Sequence, residues 1–195
     1  MSAAYMAVGL GVAFVVWTAL VYNSLVAGRS RVNEAWSGVD VQLKRRRELV
    51  PNLIETVKAY AEHETAVLSA LAEARAGATG SSGRRGRQAA EQDLSRALVE
   101  ARVVSERYPD LRAAEPFRRL QAQLGEIEAE IQYARRIYNS NLEPYNARLQ
   151  SFPGALIARM GNFRARGYFD LSPVGLQATT VDTSGHSSES SAAAA

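Results

Sequence analysis

Cysteine is missing from these 195 residues, and only two histidines occur, His63 and His186. Without cysteine there is no disulfide framework, no thiol nucleophile and no thiolate metal site. Two scattered imidazoles leave little for acid–base chemistry. The triplet Glu62-His63-Glu64 lacks a metal spacing: a zinc-protease motif needs a second histidine at 67, where Val67 stands. A di-iron bundle motif needs glutamate at 60, where Tyr60 stands. No Gly-x-Ser-x-Gly elbow is present, and Gly9 and Gly11 belong to an apolar run rather than a nucleotide loop. The sequence therefore implies no cofactor, no metal and no catalytic residue. Net charge is only +3, too small to argue for nucleic acid.

Charge is also absent from Ser2 to Gly28, and Ala3 to Val26 is almost wholly apolar. Crossing a hydrocarbon core of about 30 Å takes roughly 20 helical residues, which this run supplies. A secretory signal would want basic residues ahead of a shorter apolar core, and none is there. The run therefore reads as a retained transmembrane helix. Arg29 and Arg31 come directly after it, within reach of lipid headgroups. Such flanking charge places the N-terminus outside and the rest in the cytoplasm. Small residues at Ala3, Ala7 and Gly11 suit close approach of membrane helices, but they are also common in any such helix.

Beyond Gly28 the pattern is helical. Apolar residues at Trp36, Val39, Leu43, Val50, Leu53, Val57, Tyr60, Val67, Leu71 and Ala74 alternate by three and four, missed only at Arg46 and Glu64. That spacing makes a narrow seam for partner helices and predicts one rod of about 70 Å over residues 29–76, kinked at Pro51. Gly77 to Arg87 reads as a flexible connector. A second helix over Gln88–Arg107 presents Ala90, Leu94, Ala97, Leu98, Ala101 and Val104. A third carries Phe117, Leu120, Leu124, Ile127, Ile131, Ala134, Tyr138, Tyr145 and Leu149, and a short piece spans Ala155–Met160. The expected class is all-α: an N-terminal transmembrane helix, then an antiparallel bundle of three long helices and one short. The expected division is 1–28 anchor, 29–170 bundle and 171–195 disordered tail. The second helix covers only about 30 Å of the rod, so the uncovered seam points to self-association, to the Phe152–Met160 return or to the stalk.

Polar residues on the seam have two readings each. Arg46 either fixes register and partner or snorkels outward from a helix edge. In the Lys44 to Arg47 cluster, Arg45 lies about 28 Å beyond Val26, past a screening length of about 8 Å, so the cluster reads as a solvated face or a protein contact rather than a lipid site. Arg84, Arg85 and Arg87 lack interleaved aromatics for RNA.

Several blocks resemble one family. Tyr22-Asn23-Ser24-Leu25-Val26, Asn33-Glu34-Ala35-Trp36 running to Arg46, and Leu49-Val50-Pro51-Asn52-Leu53 form the first. Val57 to Glu64, Tyr108-Pro109-Asp110-Leu111, Tyr138-Asn139, Tyr145-Asn146 and Ser151-Phe152-Pro153 continue it. Over about residues 22 to 170 the chain resembles the LemA family. The resemblance implies a bacterial inner-membrane protein with one N-terminal helix and a cytoplasmic helical bundle, without an established reaction. The expectation is a scaffold or adaptor whose partners are the lipid bilayer and either itself or another membrane-associated protein, with no nucleic acid. Contact or register residues are Asn33, Glu34, Trp36, Asp40, Arg45, Arg46, Asn52, Glu55 and Lys58. Two rival readings are a hydrolase using paired carboxylates between helices and a lipid-surface sensor built from Phe152–Phe169.

Overall fold

The computed structural model describes residues 2–171. They form α1 (Ser2–Tyr60), α2 (Thr65–Gly80), α3 (Gly83–Arg107), α4 (Pro109–Ala113), α5 (Glu115–Gln150) and α6 (Gly154–Met160), and then an extended strap over 163–171. No strand occurs among the described residues. The all-α expectation, one long apolar N-terminal helix leading into a bundle of long helices, is what the chain adopts. Of the expected tail only Leu171 is described, and it is buried; 172–195 lie outside the described residues.

The 59 residues of α1 make a shaft of about 90 Å. Its two ends differ. Through the apolar run the side chains are bare, with Leu10 79% and Phe14 64% exposed. From Leu25 onward one stripe is sealed: Leu25, Val32, Val39, Leu43, Arg46, Val50, Leu53 and Val57. The seam thus begins at Leu25 rather than Trp36. α1 runs through Pro51 without stopping. An interior proline costs about 3 kcal/mol, and the buried residues on either side of it supply the opposing term.

Contacts along the shaft set the direction of every other helix. Arg75 Nε donates to the carbonyl of Arg47 at 3.3 Å, so α2 doubles back along α1. Asp40 meets Arg87, Arg46 meets Glu91 and Glu64 meets Tyr108, so α3 runs parallel to α1. Arg46 with Glu128, Trp36 with Tyr138 and Ser24 with Arg148 make α5 antiparallel. Far from the apolar run, Val50, Leu53 and Val57 pack with Leu71, Leu94, Ala101, Leu111 and Phe117. Nearer to it, Val32, Val39 and Leu43 pack with Ile131, Tyr138, Leu142, Tyr145, Phe169 and Leu171.

Two expectations are corrected. The single helix across 36–74 breaks after Tyr60, and residues 61–64 turn. Four residues are close to one helical turn, so the three-four stripe keeps its phase through a hairpin and cannot reveal a reversal. Tyr60 is exposed, and Ala61 takes the buried place. The Gly77–Arg87 connector is also mostly helical, with only Ser81 and Ser82 between α2 and α3. Glycine costs about 1 kcal/mol in a helix, but Arg84 and Arg87 are tied to α1, which outweighs local preference. Of the covers expected for the seam left bare by the second helix, the return through α6 is present, where Ile157 and Ala158 pack with Leu25, and α5 and the strap cover the seam beside it.

Two glycines sit in close approaches to α5. A Cβ on Gly28 would sit 3.2 Å from the Tyr145 ring, and one on Gly154 would fall 2.1 Å from the Arg148 carbonyl oxygen. The second obstacle is backbone and no rotamer relieves it. Gly154→Ala is therefore expected to cost about 1–3 kcal/mol. Hydrogen exchange of the full chain in detergent should show lost protection over 154–171 with α2 and α3 unchanged.

Candidate functional site

The shaft gathers polar groups at two levels. The farther one is a buried charge cluster. Arg46 is 1% exposed and joins three helices. Its Nη2 donates to Glu91 Oε2 at 2.6 Å and to the Glu91 carbonyl at 3.1 Å. Its Nη1 donates to Ser95 Oγ and Glu128 Oε2, each at 3.0 Å. Arg47 takes the other oxygen of Glu91, whose side chain is wholly buried. Removing two charges from water costs several kcal/mol per ion, and only near-complete hydrogen bonding offsets it. Both oxygens of Glu91 are engaged by guanidinium groups, while Arg46 Nε is left unpartnered. Arg46 does not snorkel outward: it is buried, and its partners lie on α3 and α5.

The nearer level is built around Trp36. Its ring meets Tyr138 at 5.5 Å and Phe169 at 5.2 Å, both edge-on, and the Arg84 guanidinium lies 5.2 Å from its centroid. Beside it Asn33 Oδ1 accepts from Arg166 Nη1 at 2.5 Å and from Arg84 Nη2 at 3.3 Å. Burial, then the neighbouring charges of Arg84 and Arg29, lower the Arg166 guanidinium from its ordinary value. Burial also raises the Tyr138 phenol.

A repeated Tyr-Asn pair on α5 holds the strap. Asn146 Nδ2 donates to the Arg166 carbonyl and its Oδ1 accepts from the Arg166 N–H, at 2.9 and 3.1 Å. Asn139 does the same to Phe169, at 3.0 and 3.1 Å. Tyr145 and Tyr138 hydroxyls donate to the carbonyls of Arg164 and Gly167. Seven helical residues advance about 10.5 Å and three extended residues about 10 Å, so the two repeats stay in step. The ladder reads the backbone of the strap, while the side chains of Phe169 and Leu171 pack into the core beside it.

The residues expected to contact partners divide into two groups. Asn33, Trp36, Asp40 and Arg46 are engaged within the chain, Asp40 by Arg87. Glu34, Arg45, Asn52, Glu55 and Lys58 are exposed along α1. Arg29 and Arg31 are exposed just beyond the apolar run. Glu64 sits at the turn before α2, accepting from Tyr108 Oη at 3.1 Å. That bond is the main cause of a raised Tyr108 phenol. Asn52 lines a shallow groove with Thr56, Glu115, Pro116, Arg119, Leu120 and Gln123. Bonds from Arg119 and Arg118 hold Glu115 below the usual carboxylate range.

Sequence reasoning does not single out Glu91, Glu128, Asn139 or Asn146 for these roles. The spacing of Tyr138-Asn139 and Tyr145-Asn146 is a usable signal for the ladder, because a polar pair repeated after seven residues returns to one helix face. Glu91 carries none, since an acid on a helix face ordinarily reads as solvated.

Residues 35–182 match the model of the LemA family. That stretch takes in Trp36, the charge cluster and the Tyr-Asn ladder and begins beyond the apolar run. The chain is also similar to the magnetosome proteins MamQ 1 and MamQ 2 of Paramagnetospirillum magneticum. Each is 23% identical over 190 residues, covering 84% of this chain and 70% of the relative. The magnetosome protein MamQ of Magnetospirillum gryphiswaldense is similar with the same identity and coverage.

Removing one partner from a buried pair costs about 3–5 kcal/mol, so Glu91→Leu should lower the unfolding free energy by that order. Adding Arg46→Met should recover part of the loss, as a double-mutant cycle by denaturant titration in detergent would show. Asn139→Ala with Asn146→Ala removes four bonds to the strap. At about 1 kcal/mol each, the pair should expose 163–171 to hydrogen exchange while α1–α4 keep their protection.

Proposed function

Because the chain belongs to the LemA family, we propose that it is a single-pass scaffold or adaptor of the bacterial inner membrane, with its bundle in the cytoplasm. The observation that carries this is α1 itself. One uninterrupted helix is bare and apolar at one end and sealed into a bundle at the other. The orientation rests on charge: Arg29 and Arg31 stand on the bundle side of the run. On this reading residues 1–28 anchor and 29–170 form the displayed body.

Partner contact falls to the outer face of α1. Glu34, Arg45, Asn52 and Glu55 recur there at sevens, or at the threes and fours within them, and Lys58 lies beside the last. A helix of a second copy or of another membrane-associated protein would lie along that face. The carboxylate hydrolase gains no support from the buried acids, because both oxygens of Glu91 are bound to arginine and its side chain meets no solvent. A general acid needs a free, raised carboxyl in a cleft.

The absence of cysteine makes topology directly testable. Ser2→Cys should react with a membrane-impermeant maleimide on intact cells, and Ser140→Cys only after permeabilisation; the reverse pattern would reject the orientation. In-membrane crosslinking from Arg45 and Glu55, read by mass spectrometry, should recover a recurrent protein partner. Contacts confined to lipid would reject the scaffold reading.

A further inference from the structure

The end of the bundle beside the apolar run carries an oily face that the bundle does not use. α6 turns Gly154, Ile157 and Ala158 inward, and the last two pack with Val21 and Leu25 of α1. Tyr22 meets Phe163 edge-on at 5.6 Å. Leu156 and Met160, four residues apart on α6, are 60% and 83% exposed, and Phe152, in the turn just before the helix, is 82% exposed. Twenty residues counted from Ala3 span about 30 Å and end at Tyr22, so α6 is docked at the depth where hydrocarbon gives way to headgroups. Trp17, Tyr22 and Val26 are also exposed on α1, spread over about 14 Å of its length to either side of this depth.

Charge at this end has one sign. Met1 to Asn33 holds Arg29 and Arg31, and Pro144 to Phe169 holds Arg148, Arg159, Arg164 and Arg166; neither stretch contains Asp or Glu. Such a surface cannot pair with its own copy about a two-fold axis without setting arginine against arginine. Anionic lipid has the complementary charge and an apolar layer beneath it.

We propose that α6 lies along the membrane surface as a second, in-plane foothold. Phe152, Leu156 and Met160 enter the boundary between headgroups and acyl chains, and Arg159 and Arg164 meet anionic phospholipid headgroups. Seven residues are too few to hold a helix in isolation, so the packing against Leu25 supplies the order that a free peptide would lack. The inference rests on α1 spanning the membrane, and the experiment separates the two.

Full-length chain carrying one fluorophore at Leu10→Cys, Ser69→Cys, Leu156→Cys or Met160→Cys is reconstituted into phosphatidylcholine vesicles, with and without phosphatidylglycerol. Lipid-borne nitroxides should quench the labels at 156 and 160 about threefold or more over that at 69. Phosphatidylglycerol should increase that quenching, and Arg159→Gln with Arg164→Gln should abolish the increase. Quenching at 10 but not at 156 and 160 overturns the foothold and leaves the span standing. No quenching at 10 rejects the span and the foothold together. Labels at 156 and 160 shielded from both lipid and aqueous quenchers would mean a protein contact, which also overturns it. An increase with phosphatidylglycerol that survives the arginine substitutions rejects the headgroup contact.

Discussion

The Arg46 guanidinium is where the three long helices of the bundle are made to agree. α1 brings the cation, α3 the buried carboxylate of Glu91 and the hydroxyl of Ser95, and α5 the carboxylate of Glu128. Apolar seams tolerate slippage by a turn, because one leucine replaces another at similar cost. A buried charge does not: shifting any helix by a turn, about 5.4 Å, would strand an ion in a dry interior. A cluster of this kind adds little net stability over apolar packing, and its cost falls on any arrangement that parts the ions. Arg47 adds to it by closing the second oxygen of Glu91 from the same helix.

Nearer the apolar run, register is set by a different device. The Tyr-Asn ladder fastens the strap to α5 through backbone groups, and Phe169 then closes over Trp36. Asp170 and Gln88 extend the closure, since Asp170 pairs with Arg135 at 2.6 Å and its carbonyl accepts from Gln88 at 2.7 Å. The strap thus bridges α5 to the start of α3 and completes a wall that helices alone leave open. Ionic locking far from the run and backbone clamping near it together hold one shaft along most of its buried length.

Much of this is legible in the residues. The three-four stripe locates the buried face of α1, and the inner faces of α3 and α5 obey the same rule at Leu94, Ala101, Phe117 and Ile131. Periodicity reports which face is buried and says nothing of which way the chain runs, so the hairpin at 61–64 stays hidden. Glycine content misleads over 77–87, where ties from Arg84 and Arg87 to α1 outweigh the local cost. Arg46 is recognisable as out of place, but its partners lie 45 and 82 residues away, and no local pattern encodes them. The exposed residues Glu34, Arg45 and Glu55 read on the same footing as the engaged Asn33 and Trp36, because composition does not separate a free side chain from an occupied one.

The absence of any joint between the apolar part of α1 and its buried part makes the shaft a lever. About 38 residues, or roughly 57 Å, separate Tyr22 from Tyr60. A change in tilt of about 10°, within the range that helices adopt as bilayer thickness varies, would sweep the distal tip sideways by about 10 Å. Local thinning or thickening of the lipid sheet would then be amplified at the end of the molecule farthest from it.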